Sequence, residues 1–277
     1  MINVIRTAII VICLFSFYYV KSYYKSIESM QQITNSKIYK NNIDIYVLYI
    51  SKREKYIKNI INKLFINTIY YTGINKINLN KKKLIEDKLV TLNYANSFYF
   101  NNGRVACHLG HINILKKFME GYKQYCLVLE DDINIRDDDI ESIKYKLANI
   151  LDNIPKDADI VYLSYCWEQC YFTKKNDDIF HKSYSPLCRH IYLVSRKGAD
   201  SIIKNTIPMY MNGDQMYADL IKRNILKAYN VDHNYLNISQ NRGVLGSNLN
   251  NGNEVPPPCD STYNILHHIY KEGVALL

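Results

Sequence analysis

Tyr125-Cys-Leu-Val-Leu-Glu-Asp-Asp132 runs from five apolar or aromatic residues straight into three acids. A continuous apolar run of this length, bounded by polar residues, is the pattern of a strand buried on both faces. In an open α/β sheet the carboxyl ends of the strands open onto the ligand crevice. The run therefore predicts a strand over Tyr125 to Leu129 that delivers Glu130, Asp131 and Asp132 to a binding site. Three carboxylates side by side are costly without a cation. A hard divalent ion, Mn²⁺ or Mg²⁺, prefers a few carboxylates and leaves positions open for phosphate oxygens, which suits Glu130 and Asp132 flanking Asp131. Solvated acids that cap a following helix are the competing reading. A calcium loop is excluded: counted from Asp132, the sixth position is Asp137 rather than Gly and the twelfth is Ile143 rather than Glu.

Outward from this strand, the same two periods recur. Upstream, the spacing of Val105, Leu109, Ile112 and Leu115 predicts a helix that begins near Gly103. Before it, Ile43 to Ile50 reads as a strand, Ile57, Ile60, Ile61 and Leu64 as one helical face, and Thr68 to Tyr71 as a second strand. Residues 74 to 102 are polar and rich in Asn and Lys, and read as loops with broken elements. Downstream come a helix across residues 139 to 151, a strand over Ile160 to Ser164, another over Ile191 to Ser195, and a helix begun by Lys197 to Ala199. Strands that alternate with helices imply an α/β fold, a mainly parallel sheet covered on both faces. The stretch Gly246 to Asp260, rich in Asn, Gly and Pro, reads as a loop that orders on binding or as a flexible cover. No internal repeat is present.

The 277 residues leave room for one large α/β domain after the first few dozen are set aside. Thr7 to Val20 is uncharged and apolar, preceded by Arg6 and followed by Lys21 and Lys25. With Val4 and Ile5 it approaches roughly 17 residues, the lower limit of a membrane span, and no small-residue cleavage site follows. It reads as a signal-anchor helix; a cleaved signal peptide and a buried helix are the alternatives. The organisation is then an anchor at residues 1–22, a polar stem at 23–41 and a catalytic domain at 42–277. A large C-terminal domain translocates regardless of flanking charge, which places it in a secretory lumen behind a single-pass anchor.

The net charge of +9 does not point to nucleic acid, because apart from Lys81, Lys82 and Lys83 the lysines are scattered and no basic stripe is interleaved with aromatics. The 26 Tyr accompany an excess of Asn, Ile and Lys, residues with AT-rich codons, so they report base composition rather than a stacking surface. Seven Cys give no readable disulfide framework; free or singly bridged thiols are expected. Cys166 and Cys170 are close enough for a local bridge or a metal pair, but without a second pair zinc is disfavoured. His108 and His111, three apart on one helix, lack a third ligand at zinc spacing and read first as a satisfied polar flank.

Gly103-Arg-Val-Ala-Cys107-His-Leu-Gly-His111 followed by Leu127-Val-Leu-Glu-Asp-Asp132 resembles glycosyltransferase family 25, which includes lipooligosaccharide glycosyltransferases and procollagen galactosyltransferases. The resemblance extends to Ile45 to Arg53, to His190-Ile-Tyr-Leu-Val-Ser-Arg-Lys-Gly198-Ala199 and to Gly213-Asp214, touching most of residues 43 to 248. It implies a GT-A, Rossmann-like fold, a uridine diphosphate (UDP) hexose as donor, and Mn²⁺ (or Mg²⁺) held by Glu130 and Asp132. It places Gly103, His111 and Asp131 on the donor side. It makes Asp214 the general base for the acceptor hydroxyl or part of the acceptor site, against a plain helix N-cap as the competing role. Lys52 and Arg53, after the first strand, are expected to meet uridine or phosphate. The partners implied are a nucleotide sugar, a glycan, lipid-linked glycan or protein acceptor, and a membrane.

Departures from the pattern are Gly110 for the usual Ser, Arg104 for a common acid, and Tyr56 where many members carry Arg. They leave the metal chemistry in place and the sugar identity open. A catalytically inactive glycan-binding relative presented at a membrane is the second reading, disfavoured by retention of all three acids. A metal-dependent phosphoesterase is the third, and the sequence offers no second cluster of Asp and His for a two-ion site.

Overall fold

The computed structural model describes residues 16–21, 43–65, 67–135, 140–169, 173–236 and 238–240. Its centre is an eight-stranded sheet in the order β2-β1-β3-β8-β5-β9-β7-β6. The strands are β1 (Ile43–Tyr49), β2 (Thr68–Thr72), β3 (Tyr125–Glu130), β5 (Ile160–Ser164), β6 (Lys174–Lys175), β7 (Phe180–Lys182), β8 (Ile191–Ser195) and β9 (Ala228–Val231). β4 (Ile133–Ile135) and β10 (Ile238–Gln240) form a separate antiparallel pair. β1 pairs in parallel with β2 and β3, and β5 with β9. β8 runs antiparallel between β3 and β5, and β7 antiparallel between β9 and β6. All strands of the sheet but β7 and β8 thus point one way.

The helices are α1 (Glu54–Leu64), α2 (Lys81–Glu86), α3 (Leu92–Asn96), α4 (Asn102–Glu120), α5 (Ile140–Asp152), α6 (Arg196–Asn205) and α7 (Gly213–Lys222). Because a strand alternates its side chains, each sheet face builds its own core. Ile43, Ile45, Val47, Leu127 and Leu129 face the layer made by Ile57 and Ile61 of α1 and Leu147 and Ile150 of α5. Tyr46, Leu48, Cys126 and Val128 face the other, packed by Ile112, Leu115 and Phe118 of α4, Ile202 of α6 and Leu220 of α7. Both sets are buried, which is why the predicted strands read as unbroken apolar runs. α4 lies so close to β1 that a Cβ on Gly110 would come within 2.9 Å of Leu48 Cδ1, so any larger residue at this departure from the family pattern needs the Leu48 side chain to shift.

The expected α/β architecture is therefore present, and the predicted strands and long helices fall where their periodicity placed them. Residues 74 to 102 carry the short helices α2 and α3, whose N-caps Asn80 and Thr91 accept from the N–H groups of Lys83 and Tyr94. A near-neighbour bridge between Cys166 and Cys170 is not what forms: Cys166 is joined to Cys188. Cys170 itself lies outside the described residues. Cys107 and Cys126 are free thiols. No helix of the described residues is long and apolar enough to cross a membrane. Most of the apolar run Thr7 to Val20 and all of the loop Gly246 to Asp260 lie outside the described residues, residues 16–21 being helical and exposed.

Candidate active site

The carboxyl ends of β1, β2, β3 and β5 reach one edge of the sheet. β8 is antiparallel, so its entry, Arg189 and His190, arrives at that same edge, as do the first turns of α4 and α7. Together they enclose a cavity of about 570 Å³. Every residue expected in the site except His111 lines it: Lys52, Arg53, Gly103, Glu130, Asp131, Asp132 and Asp214.

The three acids have three different environments. Asp131 is buried and accepts from the Ile50 N–H at 2.7 Å and from Arg53 Nη1 at 2.8 Å. It ties the end of β1 to the end of β3. Burial pushes its carboxyl above the usual range against the pull of those two donors. Arg53 lies 3.7 Å from an Asp132 oxygen as well, and Gln240 Nε2 donates to Asp132 Oδ1 at 3.4 Å. Arg53 and Asp131 thus hold each other at the wall, while Lys52 beside them is exposed.

Glu130, half-buried, accepts from the imidazole of His111 at 2.8 Å. His111 is fully buried, and its other ring nitrogen meets the Tyr192 hydroxyl at 3.1 Å. Burial, aided by the charge of Arg189, holds this imidazole well below the usual histidine range. A neutral ring protonated at Nε2 satisfies both neighbours, donating to Glu130 and accepting from Tyr192. His111 therefore orients Glu130 from behind rather than touching the cavity. Cys107, one turn earlier on α4, lies 3.7 Å from the same Glu130 oxygen. Burial, then the Glu130 charge, push its thiol well up, so it is a neutral thiol.

Cys107, His111 and Glu130 offer ligand atoms within 4.8 Å of one another. A hard cation is served by the carboxylates: Glu130 and Asp132 both line the cavity, and a thiol that holds its proton is a poor ligand for such an ion. Glu130 and Asp132 are thus the hard oxygen donors of the cavity, the type a divalent cation such as Mn²⁺ or Mg²⁺ prefers.

Asp214, which also lines the cavity, sits in the first turn of α7, where Asn212 is the N-cap residue, so the plain N-cap role is not what Asp214 performs. Its carboxylate accepts from the N–H groups of Gln215 at 3.0 Å and Cys188 at 3.4 Å. The two helix histidines do not share a site. His108 turns to the Thr206 carbonyl at 3.2 Å and to Arg189 Nη1 at 3.2 Å, and burial holds it well below the usual range, neutral. Sequence reasoning missed Arg189, the residue immediately before the His190 to Ala199 motif, and the bridge that brings Cys188 to the wall. A lone Arg in a loop has no periodicity to reveal its burial.

The family model of glycosyltransferase family 25 (LPS biosynthesis protein) matches residues 41–217. No curated protein matches the chain by sequence. Among solved structures, a glycosyltransferase involved in the glycosylation of the major capsid of PBCV-1 is similar at 8% identity, TM-score 0.40, covering 69% of this chain and 82% of that one. The apo-form glycosyltransferase GlyE of Streptococcus pneumoniae is similar at 8% identity, TM-score 0.37, covering 70% and 46%. Mannose-1-phosphate geranyltransferase from Thermus thermophilus gives 9% identity, TM-score 0.34, covering 69% and 73%.

Proposed function

The chain belongs to glycosyltransferase family 25, and on that premise we propose that it transfers a hexose, galactose or glucose, from a UDP-sugar to a hydroxyl of a glycan, lipooligosaccharide or protein, with inversion. The observation that carries this reading is the convergence of Glu130, Asp132 and Asp214 on one cavity at the carboxyl edge of the sheet. Glu130 and Asp132 hold Mn²⁺ or Mg²⁺, and such an ion, when bound, neutralises charge on a diphosphate leaving group. His111 fixes the Glu130 carboxylate by its hydrogen bond. Lys52 and Gly103 flank the donor.

Asp214 takes the proton of the acceptor hydroxyl. An inverting displacement needs a carboxylate to take the proton of the acceptor hydroxyl, and Asp214 lines the same cavity as Glu130 and Asp132. The backbone donors of Cys188 and Gln215 hold its carboxylate in place without consuming it in an ion pair. The apolar segment Thr7 to Val20 anchors the chain in a membrane, with the catalytic domain on the lumenal side.

The test is Asp214→Asn in the purified protein. Removing a general base lowers kcat by about 10²- to 10⁴-fold, with UDP affinity unchanged by titration calorimetry. An equal loss of UDP affinity with kcat intact would move Asp214 to donor binding.

A further inference from the structure

Two groups of side chains among the described residues bring three metal-ligating atoms within 4.8 Å of one another. In one, Cys166, Cys188 and His190, both sulfurs are spent in the bridge. The other, Cys107, His111 and Glu130, keeps its thiol free. Cys107 and His111 stand four apart on α4, the spacing at which two side chains of one helix reach a common ion, and Glu130 meets them from the end of β3. Thiolate, imidazole and carboxylate together are ligands of Zn²⁺, whereas the hard ions take oxygen alone.

The spacing suits a tetrahedral ion. Bonds of about 2.3 Å to sulfur, about 2.0 Å to nitrogen and about 2.1 Å to oxygen set sulfur and oxygen about 3.6 Å apart, and nitrogen and oxygen about 3.4 Å apart. Cys107 Sγ and Glu130 Oε1 are already 3.7 Å apart. His111 Nε2 and Glu130 Oε1, at 2.8 Å, need to open by only about half an ångström. Cys107 and Glu130 line the cavity, so an ion enters from there and a water takes the fourth position. The far side of the imidazole is supported as metal-bound histidines are, by the Tyr192 hydroxyl at 3.1 Å from Nδ1. When Nε2 gives its lone pair to an ion, the ring proton sits on Nδ1 and Tyr192 turns from donor to acceptor.

We propose that Cys107, His111 and Glu130 form a Zn²⁺ site, separate from the hard-ion pair Glu130 and Asp132 and sharing one carboxylate with it. On binding, the Cys107 S–H bond breaks, its proton passes to solvent and the thiolate bonds to the ion. The hydrogen bond between His111 and Glu130 gives way to a bond from each to zinc. Glu130, turned toward α4, then leaves Asp132 as the carboxylate for Mn²⁺ or Mg²⁺, so Zn²⁺ inhibits the transfer in competition with Mn²⁺. That consequence rests on the transferase reading above; the zinc site itself does not.

Co²⁺ is the probe, because a thiolate bound to it gives an intense near-ultraviolet charge-transfer band that oxygen and nitrogen ligands do not give. The purified full chain is titrated without reductant, which keeps the Cys166–Cys188 bridge closed. The expected result is a band that saturates at one equivalent, is removed by Zn²⁺ and is lost in Cys107→Ser. No band in the wild type, or a band undiminished in Cys107→Ser, overturns the site. UDP release tests the consequence. Zn²⁺ at about nine times its Kd is expected to raise the half-saturating Mn²⁺ concentration about 10-fold in the wild type, and Cys107→Ser to need more Zn²⁺ for the same effect. Inhibition that Mn²⁺ does not relieve, or that is equal in the variant, overturns the competition. A cobalt band in a protein that releases no UDP with Mn²⁺ upholds the site and counts against the transferase reading alone.

Discussion

At Gly213 the missing side chain decides what its neighbours can do. A Cβ there would overlap Arg189 Nη2 and come within 2.9 Å of His108 Nδ1, so Gly213→Ala must push Arg189 off the Tyr217 ring it lies over or shift α7. Overpacking of this kind is destabilising by about 1 to 3 kcal/mol. The expected outcome is a lower melting temperature; a variant with wild-type melting would show that Arg189 has room to spare. That the three acids and Asp214 line one cavity was legible because motif and position agree, a strand that runs into carboxylates and a helix turn that begins at Gly-Asp, whereas His111, expected at the donor, lies behind Glu130. What each acid does was not. Nothing in Glu130-Asp131-Asp132 reveals that the middle carboxylate is occupied by Arg53 and the Ile50 N–H while the outer two line the cavity.

Among the elements, the segment between β7 and β8 is held by contacts remote in sequence. The Cys166–Cys188 bridge closes a separation of 22 residues, and Cys188 sits at φ 69°, in the left-handed region. Glu168, 3% exposed, accepts from the N–H groups of Tyr184 and Ser185, from the Ser183 hydroxyl and from Asn230. Removing a bridge across a loop of this size lowers stability by about 3 kcal/mol. Cys188→Ser is therefore expected to melt lower, and a dithiol reductant is expected to bring the wild type down to the same temperature. A melting temperature insensitive to reductant would mean that the bridge is not part of the folded protein in solution. The strands were legible because two-sided burial leaves continuous apolar runs, and α1, α4, α5 and α6 because their apolar residues recur at helical spacing. The antiparallel direction of β8 and the pairing of Cys188 were not, since both depend on which chain ends meet at one sheet edge and leave no mark on local pattern.

For the whole molecule, buried neutral histidines couple folding to pH. Burial lowers His108 and His111 well below the usual value of 6.5 and lowers His233 to about 4. In the unfolded chain each takes up a proton near 6.5, so below that pH the unfolded state binds more protons and acid favours it. The stability these groups contribute is fully present above 6.5 and is lost as pH falls toward their folded values, at up to about 1.4 kcal/mol per pH unit for each. Urea midpoints at about pH 7.5 and about pH 5 are expected to differ, the lower in acid; equal midpoints would contradict the buried, neutral assignment.

The most direct test of the central claim, that this cavity turns over a nucleotide sugar on Glu130 and Asp132, is UDP release from UDP-galactose and UDP-glucose by the purified protein. It is measured with Mn²⁺, with chelator, and beside Asp132→Ala. The account predicts release with Mn²⁺, abolished by chelator and by the substitution. Absence of release from either donor, together with no Mn²⁺-dependent nucleotide binding, would contradict it and point to a glycan-binding relative that no longer performs the transfer.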